Sequence, residues 1–161
     1  MRWFTRGFAC FAFLAAVLLA AADSVPTTAA AAAGGKDKKE GHHEIGPRGG
    51  PVAEWGDEKY HVEIIVDHSK KTATAYILGG DIKKASPIAA ASIKVTFTSL
   101  KPALQVVLKA DPDKGDPKGS SSRFVGMHDK LGQKFKLKGS VSGKVGDLPY
   151  AGDFELKEKK K

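Results

Sequence analysis

Five histidines and several carboxylates are the residues of this chain best suited to chemistry. His42 and His43 are adjacent and precede Glu44, whereas His61 and Glu63 stand two positions apart. Neutral imidazole is a good ligand for Cu(II), Zn(II) and Ni(II), and carboxylates complete such shells. If the segment before residue 46 folds back over the strand that carries His61, four side chains converge. The predicted metal site is therefore the set His42, His43, His61 and Glu63.

A second interpretation of the same histidines stays open. Adjacent histidines and a single histidine on a strand are also ordinary surface residues, and their spacing here matches no established zinc pattern. In that case metal binding is weak and adventitious. The sequence establishes no cofactor, and copper or zinc are the metals that the predicted set would take.

The remaining reactive residues do not form a catalytic constellation. Asp57 and Glu58 lie in a predicted turn, and Ser120–Ser122 lie in a loop without a Gly-X-Ser-X-Gly elbow. The acidic loop that begins at Asp111 lacks the downstream glutamate and the flanking helices of a calcium-binding loop. We therefore predict that the protein is not an enzyme.

The first 22 residues have the pattern of a cleaved secretory signal peptide. Arg2 and Arg6 form a positive start, Gly7–Leu19 is apolar, and Ala20–Ala22 supply the small residues of a cleavage site. The apolar stretch is shorter than the ~20 residues of a spanning helix, so no transmembrane segment is expected after cleavage. The predicted location is secreted or periplasmic, and the single cysteine, Cys10, leaves with the signal.

The basic charge is concentrated near the two ends of the processed chain. The formal charge is +8, and removal of Arg2 and Arg6 lowers it to +6. The lysines alternate with glutamates or flank the ends, without the arginine-rich, aromatic-interleaved stripe of a nucleic-acid surface. We expect a solubilising role and no nucleic-acid partner, with polyanion binding through the lysine tail as the alternative.

Composition divides the chain into four parts. Residues 1–22 are the signal peptide, 23–45 are a disordered linker rich in Ala, Lys and His, 46–157 form the folded domain, and 158–161 are a basic tail. About 115 residues are enough for one core and too few for two ordinary domains.

Alternating apolar and polar residues predict that the domain is built from strands. In Tyr60–Asp67 the residues Tyr60, Val62, Ile64 and Val66 face one way, and His61 and Glu63 lie on the opposite, polar face. The predicted fold is all-β, an antiparallel Ig-like β-sandwich or a small barrel of about seven to eight strands. The predicted strands are Val52–Trp55, Tyr60–Asp67, Thr72–Leu78, Ile93–Thr98, Leu104–Lys109, Arg123–Met127, Lys134–Val141 and Gly152–Lys157.

The segment Gly46–Ile88 resembles a group of small exported bacterial proteins of planctomycete type. The shared outline is Gly-Pro-X-Gly-Gly, a short strand with an acidic residue, then Tyr-His-X-Glu and a hairpin that ends in Gly-Asp. It is similar also to the N-terminal region of periplasmic adaptor subunits of heavy-metal efflux systems. The resemblance implies an envelope β-domain linked to metal handling. The residue between Gly-Pro and Gly-Gly is often histidine in that outline, whereas here it is Arg48, which offers no lone pair to a metal.

These observations predict an exported, non-enzymatic binding or accessory module of the cell envelope, with metal association and an unknown protein partner. The alternative is a protein–protein interaction or surface-structural β-domain without a metal role. In that alternative, edge strands or the Gly-Pro turn contact the partner.

Overall fold

The computed structural model describes residues 45–157, which form one eight-stranded antiparallel sheet. The predicted signal peptide, linker and basic tail lie outside the described residues, apart from Ile45. A single 3-10 turn covers Asp129–Gly132. The strands are β1 (Val52–Trp55), β2 (Tyr60–Asp67), β3 (Thr72–Gly79), β4 (Ser92–Phe97), β5 (Leu104–Ala110), β6 (Arg123–Met127), β7 (Lys138–Val145) and β8 (Leu148–Glu155).

The sheet curls into a nearly closed barrel. Its hydrogen-bonded order is β1-β2-β3-β6-β5-β4-β7-β8, so β1 and β8 are the two ends of the order. These ends meet, because Gly152 of β8 lies against the carbonyl oxygen of Glu54 in β1. The indole Nε1 of Trp55 donates across the interior to the carbonyl of Val141, at 3.2 Å. The all-β prediction is confirmed, and the architecture is the barrel-like one.

Alternation along the strands fills the barrel. In β2 the side chains of Val62 and Ile64 are fully buried in the interior, as their period of two predicts. Burial of each large apolar side chain contributes about 1.5–3 kcal/mol. The largest apolar side chains of the interior are Trp55, Ile64, Ile77, Ile88, Ile93, Phe97, Leu108, Phe124, Leu131 and Phe154.

Six of the eight strands lie close to their predicted positions, and the last two are displaced. The last hairpin consists of β7 and β8, joined at Gly146 and Asp147, whereas the sequence predicted Lys134–Val141 and Gly152–Lys157. Phe135 and Leu137 precede β7 and pack against the core from outside the strand. The hairpin is rich in Gly, Ser and Pro, which have low strand propensity, so the apolar pattern pointed to the wrong residues.

Within residues 45–157, no helix is both long enough and apolar enough to cross a bilayer.

Candidate functional site

His61 and Glu63 lie on the outward-facing side of β2, as the alternation predicts, but neither is exposed. The relative exposure of His61 is 3% and that of Glu63 is 0%. The segment Gly46–Pro51, which we call the clasp loop, lies over Glu63, since a Cβ atom on Gly46 would collide with that side chain. The polar face of the hairpin is therefore partly covered by chain that the sequence assigned to a turn.

The carboxylate of Glu63 holds the clasp loop in place. Its Oε1 accepts hydrogen bonds from the backbone amides of Arg48, at 2.7 Å, and of Gly50, at 3.1 Å. Its Oε2 lies 3.3 Å from Nη1 of Arg48, whose guanidinium also stacks over the ring of Tyr76, 3.8 Å from its centroid. A buried carboxylate needs such donors to offset its lost hydration. Ligation of a metal by Glu63 would have to displace at least one of them.

His61 has a defined hydrogen-bonding state. Its Nδ1 lies 3.1 Å from the carbonyl oxygen of Gly79, and a carbonyl can only accept, so Nδ1 carries the proton. In the neutral imidazole this leaves the lone pair on Nε2. Glu54 stands directly opposite His61 on β1.

Of the four residues predicted to bind a metal, only His61 and Glu63 lie among the residues that the structure describes. His42 and His43 lie outside the described residues, so the convergence of the four side chains stays a prediction. Within residues 45–157, no three side chains of His, Cys, Asp or Glu come together in a geometry that could hold a metal ion.

The carboxylates of the acidic loop after β5 bind groups of the same loop and of Arg123 in β6. Oδ2 of Asp116 accepts hydrogen bonds from the backbone amides of Ser122, at 2.7 Å, and Asp113, at 2.9 Å. Asp111 and Asp113 each lie within ion-pair distance of Arg123. Three carboxylates of this loop thus have partners within it or at the start of β6.

A groove of about 670 Å³ lies beside the start of β4 and the turn between β7 and β8. The sequence did not predict this groove. We call it the alanine groove, because the connector Ala89–Ala91 forms one wall. The β7–β8 hairpin forms the other. Its lining residues are Ala89, Ala90, Ala91, Ser92, Ile93, Lys94, Ser142, Gly143, Lys144, Gly146, Pro149, Tyr150 and Ala151.

The groove opens because two neighbouring strands stop pairing at different points. The register between β4 and β7 ends at Ile93 opposite Gly143. Strand β7 continues beside β8 as far as Val145, whereas the connector before β4 is held toward β5 by a bond from the amide of Ala110 to the carbonyl of Ala91, at 3.0 Å. The two walls therefore diverge.

Tyr150, which lines the groove, belongs to a packed aromatic cluster beneath it. A Cβ atom on Gly143 would lie 3.0 Å from Cη2 of Trp55, so this glycine lets β7 pass directly over the indole. Tyr150 stacks on Trp55 with ring centroids 5.9 Å apart and meets Tyr60 edge-on at 5.8 Å. Such packing restrains the ring of Tyr150 in the groove wall.

The charge of the groove is positive. Among residues 45–157, Lys94 and Lys144 are its only ionisable lining groups besides the phenol of Tyr150. No carboxylate of residues 45–157 lies within ion-pair distance of either ammonium. Lys94 stands opposite Ser142, two positions before Lys144 on the same face, so the two lysines are diagonal neighbours.

A sequence signal for the groove existed in its small residues. Ala89–Ser92 and Ser142–Gly143 form two runs of small side chains at the ends of strands, and small side chains leave space beside a backbone. Neither run contains a motif with known chemistry, so nothing in the sequence joined them. Comparisons of the chain with protein-family models, curated proteins and solved structures gave no match.

Proposed function

We propose that this domain is an exported, non-enzymatic binding module of the cell envelope and that the alanine groove is its ligand site. The observation that carries the proposal is the groove itself, about 670 Å³ in volume and lined in part by Tyr150, which stacks on the buried Trp55. Small-ligand and peptide sites are typically concave, largely pre-formed and mostly apolar, with a few polar groups. The signal-like N-terminus supports export to the envelope.

Metal association is a second element of the proposal. It is supported by the hydrogen bond from Nδ1 of His61 to Gly79, which leaves Nε2 as a ligand atom. In this scheme His42 and His43 supply the other imidazoles. Glu63 contributes less than the sequence suggested, because its carboxylate already binds the clasp loop.

A fragment screen by two-dimensional NMR tests the groove without any assumption about its ligand. Uniformly ¹⁵N-labelled protein is titrated with small neutral, anionic and cationic fragments. We expect the perturbed amides to cluster at residues 89–94 and 142–151 and to include the indole N–H of Trp55.

The matched control for this screen is Ala151→Phe, which fills the groove from an exposed position. It should abolish the fragment shifts and leave the rest of the spectrum unchanged. Shifts that cluster elsewhere, or that persist in the filled variant, would refute the proposal.

A further inference from the structure

The walls of the alanine groove leave backbone groups without partners. Strand β7 extends only two residues, Lys144 and Val145, beyond its last pair with β4, which is Ile93 opposite Gly143. On the opposite wall, the amide and carbonyl of Ala89 have no hydrogen-bond partner among residues 45–157. Unpaired strand edges bind extended peptides through main-chain hydrogen bonds.

The small side chains of the lining favour a peptide as the occupant. Alanine, serine and glycine make up most of both walls, so another main chain can approach closely. The geometry thus fits a segment in extended conformation.

The two lysines define the side chains that such a peptide must carry. Diagonal neighbours on adjacent strands are separated by about 7–8 Å, which applies to Lys94 and Lys144. In an extended chain, side chains at positions i and i+2 lie on the same face, about 6.6–6.8 Å apart. Two carboxylates at this spacing match the two unpaired ammonium groups.

We infer that the alanine groove binds an extended acidic peptide segment of a protein partner, with Asp or Glu at alternate positions. This inference rests on the proposed function, since it names the ligand class of the same groove. The acidic residues contact Lys94 and Lys144, and the intervening residue points to the opposite face.

Three synthetic octapeptides test the inference by calorimetry at low salt. The first contains Glu-Val-Glu-Val, the second Gln-Val-Gln-Val, and the third Glu-Glu-Val-Val, in which adjacent glutamates point to opposite faces. An exposed ion pair contributes a factor of about 2–5 in affinity. We therefore expect the first peptide to bind about 4–25-fold tighter than the second when both pairs form. The third peptide can form only one of the two ion pairs, so its affinity should be about 2–5-fold weaker than that of the first.

Variants of the protein assign the effect to the groove. Lys94→Gln and Lys144→Gln should each weaken binding of the first peptide about 2–5-fold, and the double variant should no longer distinguish the first two peptides. The matched control is Lys118→Gln, which removes the same charge from the exposed loop after β5. It should bind the first peptide like the native protein.

Several outcomes would overturn the inference. Equal binding of the glutamate and glutamine peptides would remove the role of charge. Full competition by glutarate or inorganic phosphate at matched concentration would show that a small anion is the occupant. If no peptide binds while fragments still map to the groove, the acidic-peptide inference fails and the proposed function stands. If the fragments fail as well, both fail.

Discussion

The carboxylate of Glu63 and the backbone amide of Arg48 are joined by a hydrogen bond of 2.7 Å, across 15 residues of chain. The Gly50 amide binds the same oxygen, so one buried side chain holds two backbone amides of the clasp loop. The residue before Gly-Gly is therefore held by its main chain, with its side chain directed over Tyr76.

Removal of the Glu63 charge should destabilise the domain more than removal of the Arg48 side chain. Hydrogen bonds to a charged group are worth about 1.5–3 kcal/mol, so Glu63→Gln should lower the free energy of unfolding by about that amount. Arg48→Ala should cost about 1 kcal/mol or less, because the guanidinium is 42% exposed and both amide donors remain. Urea denaturation of the two variants measures the difference, and equal effects would contradict this description of the clasp loop.

The meeting of β1 and β8 should depend on Gly152. A Cβ atom there would collide with the carbonyl of Glu54, which belongs to the backbone and cannot move aside alone. We expect Gly152→Ala to destabilise the domain by about 1–3 kcal/mol. The control Gly115→Ala meets open space and should be neutral or slightly stabilising, within about 1 kcal/mol. Thermal unfolding of both variants tests this, and a neutral Gly152→Ala would show that the barrel is more open than described.

Stability should fall in acid, partly through Glu155. Hydrogen bonds from Lys136, at 2.9 Å, and Lys138, at 3.1 Å, lower the pKa of Glu155 from 4.5 to about 2. A carboxyl whose pKa is lower in the folded state stabilises the protein above its unfolded pKa. That contribution is lost as the pH falls from about 4.5 to about 2.

The variant Glu155→Gln should therefore be less stable than the native protein at pH 7 and equally stable near pH 2. The control Asp153→Asn removes a carboxylate that forms no ion pair within residues 45–157, so it should keep the native pH dependence in that window. Chemical denaturation at a series of pH values gives the slopes. A native slope in Glu155→Gln would assign the acid sensitivity to other groups.

The sequence-derived metal site predicts Zn(II) or Cu(II) binding tighter than millimolar. Alanine at His42, His43 and His61 together should weaken it by at least tenfold, because neutral imidazoles supply most of the ligand atoms. His68→Ala is the control, since that histidine contacts the carbonyl of Leu131 at 2.7 Å and belongs to no predicted site. Calorimetry on the full chain measures the affinities. Unchanged affinity in the triple variant would end the metal proposal.

Much of the fold could be predicted because apolar and polar residues alternate in β2 and β4 and turn residues separate the other strands. Val62 and Ile64 are interior and His61 is outward, as a period of two requires. The bounds of the β7–β8 hairpin were predicted wrongly because Val141 and Phe154 are its only fully buried apolar side chains. The residues between them have low strand propensity. A Gly-Asp turn was the one local signal for this hairpin.

The candidate site was predictable only in part. Alternation placed Glu63 on the outer face, but nothing local revealed that the clasp loop would bury it, since the contact spans 15 residues. The alanine groove arises where the pairing of β4 with β7 ends. Strand register is set by long-range packing, and alternation within one strand does not specify its neighbour.

Tryptophan fluorescence tests the central claim, that the alanine groove is the ligand site. The chain contains Trp3 and Trp55, so Trp3→Phe leaves the indole beneath Gly143 as the sole reporter. Titration of this protein with the Glu-Val-Glu-Val peptide, or with a fragment found by NMR, should give a saturable change in emission that Ala151→Phe abolishes. Binding that calorimetry detects while the emission of Trp55 stays constant, and that Ala151→Phe leaves intact, would contradict the claim.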